Sequence, residues 1–119
     1  MGQYRSKGAL FFDLDGTVFK HGTGEPINDA AQTIRSLAKE GYKIYFTTYR
    51  GKENFPDDSK YGEDTTVDQL AALNIPYEQI IWNVPSPRVI VNDDGVGHIR
   101  CTTNEGFNSK ELRDMLEKL

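Results

Sequence analysis

The stretch that decides the fold is residues 9–19, ALFFDLDGTVF, in which four apolar residues lead into two aspartates two positions apart. The continuous apolar run at 9–12 predicts a short buried strand. Asp13 follows it directly, and Asp15 comes one residue beyond Leu14. A turn with an aspartate cap would explain Gly16 and one carboxylate. It would not explain two carboxylates at one edge of a sheet, and the pair therefore predicts a chemical role.

Strands and helices alternate along the rest of the chain. Further strands are predicted at 42–47, 79–82, 88–92 and 98–102, and helices at 30–40, 65–73 and from 109 onward. The second helix is expected to bury Val67, Leu70 and Ala71. Alternation of this kind implies parallel pairing through right-handed crossovers. We therefore expect residues 1–119 to form a single α/β domain, a Rossmann-like three-layer sandwich around a mainly parallel five-stranded sheet.

Composition narrows the class of protein. The 119 residues suffice for one domain, and 37% are hydrophobic and 27% charged. A net charge of −4 argues against broad binding to nucleic acid. No apolar run approaches the roughly 20 residues that span a bilayer. Cys101 is the single cysteine, so no internal disulfide can form, and a reducing cytoplasm is expected.

Polar residues follow three of the predicted strands. In open α/β sheets, ligands bind beyond the carboxyl ends of the strands. Asp13, Thr48 and Asp93 all fall at such ends. We therefore expect these three side chains to converge on one site.

The motif DLDGT at residues 13–17 resembles the first motif of the haloacid dehalogenase superfamily, and the chain is similar to the phosphatases of that superfamily. The resemblance implies that Asp13 attacks phosphorus and forms an aspartyl phosphate. It implies that Asp15 is the acid and base that serves the leaving oxygen and the hydrolytic water. Two carboxylates suit this chemistry, because the nucleophile and the proton carrier must be separate groups.

The same resemblance assigns residues on the later strands. Thr48, in the register set by KIYFTTYRG, would contact the transferring phosphoryl group, and Gly16, Thr17 and Arg50 would contact the substrate. Arg88 is the preferred basic residue of the third motif, with Lys52 and Lys60 as competitors and a structural salt bridge as the alternative role. Lys20 and His21 either line the entrance or lie in a solvated loop.

The acidic motif in RVIVNDDG supplies the metal ligand that the resemblance implies. Asp93 would join Asp13 and the backbone carbonyl of Asp15 around Mg²⁺, which favours hard oxygen ligands. Asp94 is adjacent, and the division of roles between Asp93 and Asp94 stays open.

The loops between the motifs bear on substrate and assembly. Residues 20–26 and 51–64 are too short to form the cap domain that larger members of the superfamily carry. An uncapped site implies a homo-oligomer or a bulky substrate. Sugar phosphates, nucleotides and phosphorylated polymer ends remain open, with a nucleic-acid end less favoured. The phrase TTVDQLAALNIPYEQIIWN is similar to small bacterial and phage members of the superfamily without an assigned function.

A phosphate-binding module without turnover is the alternative function. Such a module would be either a degenerate member of the superfamily or a receiver-like domain. Receivers carry the phosphorylated aspartate after the third strand, whereas here the third strand leads into IIWNVP, with no aspartate. This difference argues against the receiver and favours the phosphohydrolase.

Overall fold

Three parallel strands form the sheet in the computed structural model, which describes residues 7–57 and 60–119. Strand β1 is Gly8–Asp13, β2 is Tyr42–Thr47 and β3 is Gln79–Ile81, and their order in the sheet is β1-β2-β3. The register pairs Phe12 with Phe46 and Asp13 with Thr47. The carboxyl ends of β1 and β2 therefore finish side by side, as the sequence predicts.

The described part of the chain contains three helices: α1 at Ala30–Lys39, α2 at Glu63–Ala72 and α3 at Ser109–Lys118. Helix α1 packs against β2, and it buries Ile34 and Leu37 on one face. Gly41 follows with φ +110°, a conformation that glycine adopts without strain, and this ends the helix where the sequence predicts. In α3, the Asn108 side chain accepts a hydrogen bond from the backbone N–H of Glu111, which caps the first turn.

The core lies between the sheet and the helices. Its buried apolar residues come from the three strands, the three helices, the turn after β1 and the connection between α2 and β3: Leu10, Phe12, Leu14, Val18, Phe19, Ile34, Leu37, Ile44, Phe46, Leu70, Ile75, Ile80 and Leu112. Alternate residues of β1 and β2 are buried, which is the pattern of strands with one covered face.

The prediction of a five-stranded sheet is wrong, because residues 88–92 and 98–102 form no strand. Val89, Ile90 and Val91 have high strand propensity, yet all three are between 71% and 93% exposed. A strand also needs a neighbouring backbone and a covered face, which this segment does not have. Its approach contains Pro85 and Pro87, which have no N–H to donate to a ladder. Over residues 7–57 and 60–119 the structure is α/β, with three strands and three helices.

Helix α2 differs from its predicted register. It begins at Glu63 and buries Thr66 and Leu70, whereas Val67 and Ala71 are exposed. Thr66 thus takes the buried position for which the spacing of apolar residues predicts Val67. The reason is a buried partner for Thr66, described below.

Within residues 7–57 and 60–119, no helix combines the length and apolar character needed to cross a membrane.

Candidate functional site

The turn after β1 directs the side chains of both aspartates away from the core. Leu14, between them, is completely buried, and its carbonyl accepts the N–H groups of Thr17, Val18 and Phe19. Because side chains alternate along an extended chain, burial of Leu14 directs Asp13 and Asp15 to the opposite side. The spacing of two therefore brings the carboxylates together and anchors the turn in the core.

A cavity of about 380 Å³ opens at this edge of the sheet. Both carboxylates line it, together with two guanidinium groups, a histidine, a serine and three aromatic rings. The lining residues are Asp13, Asp15, His21, Tyr49, Arg50, Phe55, Tyr61, Ser86 and Arg88. The cavity thus combines acidic nucleophile candidates with cations that attract an anionic ligand.

Asp13 is the more accessible carboxylate. Its side chain is 40% exposed, and its Oδ1 accepts a hydrogen bond of 3.1 Å from Nη1 of Arg88. The Arg88 guanidinium is itself held by the carbonyls of Val84 and Pro85. Lys52 and Lys60, the competitors for the same role, are not among the residues that line the cavity. Arg88 is therefore the basic residue that sits beside the predicted nucleophile.

Asp15 is held by a buried arginine. Arg50 Nε donates to Oδ2 of Asp15 at 2.9 Å, and Nη2 donates to Oδ1 at 2.8 Å. The Arg50 side chain is 2% exposed and that of Asp15 is 16% exposed. Two parallel bonds of this kind fix the plane of the carboxylate.

Residues of α2 and two aromatic rings hold the other side of the Arg50 guanidinium. Nη1 donates to Oγ1 of Thr66 at 2.9 Å and to Oε1 of Gln69 at 2.8 Å. The guanidinium carbon also lies 5.5 Å from the ring centre of Phe19 and 5.2 Å from that of Tyr61. Thr66 is buried because it binds this cation, which explains the register of α2.

Three other predicted site residues are not among those that line the cavity. Thr48 is completely buried, and its Oγ1 accepts the backbone N–H of Arg50. Thr17 places its hydroxyl 3.6 Å from Sγ of Cys101. Gly16 is buried with φ +89°, and a Cβ there would come within 3.0 Å of the His21 ring. Gly16 therefore lets His21 close over the turn.

Asp93 lies outside the cavity. It is exposed, its Oδ1 accepts a hydrogen bond from Nδ2 of Asn92, and it is not among the lining residues. In the described part of the chain, no three His, Cys, Asp or Glu side chains come close enough together to hold a metal ion. Mg²⁺ commonly takes one or two protein carboxylates and completes its shell with water and substrate phosphate, and Asp13 is the more accessible carboxylate of this cavity.

Sequence reasoning did not assign a role to the aromatic side of the cavity. Tyr49, Phe55 and Tyr61 line it, and they occur in a segment, 49–61, whose polar and irregular composition indicates only a loop. Three aromatic residues in thirteen is the signal that was available. Thr66 and Gln69 carried no signal in the pattern, because both sit on a helix whose apolar spacing pointed to another face.

No protein-family model matches the chain, and no curated protein matches it. Among solved structures, the chain is similar to the crystal structure of an MCSG target from Vibrio cholerae. The TM-score is 0.58 and the sequence identity is 20%, over 93% of this chain and 98% of that one. At that identity the likeness concerns the fold alone.

Proposed function

We propose that this protein is a phosphohydrolase that cleaves phosphomonoesters through an aspartyl phosphate on Asp13. The observation that carries the proposal is the pairing of an accessible carboxylate, Asp13, with Arg88 in a cavity that also holds the fixed carboxylate of Asp15. The DLDGT motif supplies the reaction class. The cytoplasm is the proposed compartment, and the oligomer expected from the open site is part of the same proposal.

Asp13 performs the first step. One of its oxygens attacks phosphorus, and the bond between phosphorus and the leaving oxygen breaks. The leaving oxygen takes a proton from Asp15, which receives that proton from the phosphomonoester when the ester binds as its monoanion. In the second step water attacks the phosphorus of the aspartyl phosphate. The water gives its proton to Asp15, and the bond to Asp13 breaks to release inorganic phosphate. Splitting the reaction in this way replaces one difficult displacement with two easier ones.

The two arginines have different tasks. Arg88 stands beside the attacking carboxylate and offsets the charge that gathers when a phosphate approaches it. Arg50 fixes Asp15 through both of its oxygens. Each carboxylate oxygen has two lone pairs, so Asp15 can still accept a proton while Arg50 holds it. Arg50 is therefore a positioning residue in this reaction, although the sequence assigns it to substrate binding.

Mg²⁺ is the proposed cofactor, with the Asp13 carboxylate and the Asp15 backbone carbonyl as its protein ligands. When bound, it would neutralise charge on the nucleophile and on the phosphate oxygens. The further assignment of Asp93 to the metal remains a prediction from the sequence. A metal-binding measurement by calorimetry, made without substrate and repeated on Asp13→Asn, tests the ligand set independently of turnover.

Substitution of the nucleophile tests the reaction. We expect Asp13→Asn to abolish hydrolysis of p-nitrophenyl phosphate with Mg²⁺, because a neutral amide does not attack phosphorus. The fold should persist, since Asp13 is partly exposed. Asp114→Asn, which alters an exposed aspartate paired with Lys110 on α3, is the matched control and should keep wild-type turnover. Substantial turnover by Asp13→Asn would refute the covalent route.

A phosphate-binding module without turnover is the second candidate. Two observations favour it: both oxygens of Asp15 are already bonded to Arg50, and the Thr48 hydroxyl is fully buried. Binding of inorganic phosphate by the wild-type protein, together with absent turnover across sugar phosphates, nucleotides and phosphorylated oligonucleotides, would favour this candidate over the hydrolase.

A further inference from the structure

Three aromatic side chains form one wall of the cavity, and we call Tyr49, Phe55 and Tyr61 the aromatic wall. The rings of Tyr49 and Phe55 pack edge to face with centres 6.0 Å apart. Those of Phe55 and Tyr61 are 5.0 Å apart. All three residues line the same space as Asp13 and Arg88. The wall is thus a continuous apolar surface directly beside the charged groups.

Hydrogen bonds connect the loop that carries Tyr49 and Phe55 to Asn83. The side chain of Asn83 accepts the backbone N–H groups of Glu53 and Asn54, at 3.1 and 3.2 Å. Asn54 in turn donates to the carbonyl of Tyr49 at 2.7 Å. Gly51, with φ +145°, lies so close to Asn83 that any Cβ there would collide with that side chain. These bonds restrain the backbone around Tyr49 and Phe55, which reduces the conformational entropy that these two residues lose when a ligand binds.

The three rings of the wall differ in how much of their surface already contacts other groups. Tyr61 already has the cations of Arg50 and Lys60 within 5.2 and 5.5 Å of its ring centre. Phe55 lies between the two tyrosines. Tyr49 is at the end of the wall and is 50% exposed. Tyr49 is therefore the most exposed member of the wall.

We infer that the aromatic wall binds a planar ring carried by the substrate, so that the preferred substrates are phosphomonoesters of aryl or nucleoside alcohols. This inference rests on the proposed function. Arg88 attracts the phosphate, and Tyr49 stacks the ring beyond the leaving oxygen. Stacking on an aromatic side chain tolerates many rings, because every ring has a π face. The shared feature is planarity, and aryl and nucleobase esters are two sources of it.

The test compares substrates with and without a ring. Phenyl phosphate, adenosine 5′-monophosphate and glycerol phosphate are each assayed by phosphate release with wild type, Tyr49→Ala and Tyr49→Phe. We expect Tyr49→Ala to lower kcat/KM by about tenfold for the two ring-bearing esters. For glycerol phosphate the change should stay below about twofold, and Tyr49→Phe should restore both ring substrates. An effect on adenosine monophosphate alone or on phenyl phosphate alone would overturn the shared-ring inference.

Phe11→Ala is the matched control, since Phe11 is similarly exposed, at 55%, but lies outside the cavity lining. It should not change the ratio of kcat/KM between phenyl phosphate and glycerol phosphate. If Tyr49→Ala lowers kcat/KM equally for all three substrates, Tyr49 only supports the loop and the inference is wrong.

A binding measurement separates this inference from the proposed function. Phenyl phosphate and glycerol phosphate are titrated by calorimetry into Asp13→Asn and into Asp13→Asn/Tyr49→Ala. Tighter binding of phenyl phosphate that disappears with Tyr49→Ala supports the ring site even if the wild-type protein hydrolyses nothing. Equal affinity for both phosphates in Asp13→Asn would refute the ring site whether or not the wild type is a hydrolase.

Discussion

Arg50→Met is the sharpest test of the site, because it removes one partner of a buried ion pair while keeping an unbranched side chain. Arg50 makes two hydrogen bonds to Asp15 and one each to Thr66 and Gln69, all between 2.8 and 2.9 Å. In the variant, the Asp15 carboxylate, 16% exposed, loses its cation. Breaking a buried pair from one side costs about 3–5 kcal/mol. Because Asp15 keeps some contact with water, we expect the lower end, about 3 kcal/mol.

The measurement is thermal and denaturant unfolding. For a domain of this size, a loss of about 3 kcal/mol corresponds to a fall in Tm of about 12 °C. Arg113→Met is the matched control. Arg113 also donates two hydrogen bonds to a carboxylate, that of Glu40, at 2.9 and 2.8 Å, but both side chains are about 40% exposed. Exposed pairs contribute little, so this control should barely change Tm.

A double variant separates the lost ion pair from lost packing. Asp15→Asn/Arg50→Met removes the uncompensated charge, so it should be more stable than Arg50→Met alone. If Arg50→Met unfolds at the same temperature as Arg113→Met, the buried pair does not exist in solution. If the double variant is no more stable than Arg50→Met, packing rather than charge accounts for the loss.

Three further predictions concern the metal, pH and the loop. Asp93→Ala should raise the Mg²⁺ concentration for half-maximal turnover more than Asp94→Ala does. The same Mg²⁺ concentration for both variants would mean that Asp93 stays outside the cavity in solution. The hydrogen bond from Arg113 lowers the pKa of Glu40 below its ordinary value of 4.5. A lowered carboxyl pKa stabilises the fold above that value and loses its effect as the pH falls through the lowered pKa. The Glu40 carboxyl, followed by NMR titration, should therefore titrate at a lower pH in wild type than in Arg113→Met, and equal titration midpoints in the two proteins would contradict this. Gly51→Ala should cost about 1–3 kcal/mol in denaturant unfolding, because alanine strains at φ +145°; an unchanged midpoint would show that the loop adapts.

Local pattern was enough to predict β1, β2 and the turn that follows β1. Strand β2 runs over the predicted 42–47, and β1 extends the predicted 9–12 by one residue at each end. These elements owe their conformation to their own residues: alternate side chains reach the core, and Leu14 anchors the turn. Periodicity and turn chemistry act over a few residues, so one sequence suffices to recognise them.

Residues 88–92 show where local pattern is insufficient. Valine and isoleucine favour extended backbone, but an extended segment becomes a strand only when another strand accepts its hydrogen bonds. Whether β1 offers its free edge to this segment depends on the path of the chain after β3. That path contains Pro85, Pro87 and the carbonyls that hold Arg88. Strand propensity does not indicate whether this path lets residues 88–92 pair with β1.

The role of Arg50 shows the same limit within the site. Register alone places Thr48 and Arg50 at the end of β2, close to Asp15, and the structure agrees with that placement. Register does not say which group the guanidinium binds, because substrate phosphate and the Asp15 carboxylate are equally suitable anions for it. Helix α2 determines the orientation of the guanidinium, because Thr66 and Gln69 accept hydrogen bonds from its remaining nitrogen, Nη1. The Arg50 guanidinium is bonded on both sides and lies beside two aromatic rings, so it serves Asp15. Arg88, 28% exposed at its side chain and bonded to Asp13, is the arginine that can contact a phosphate in the cavity.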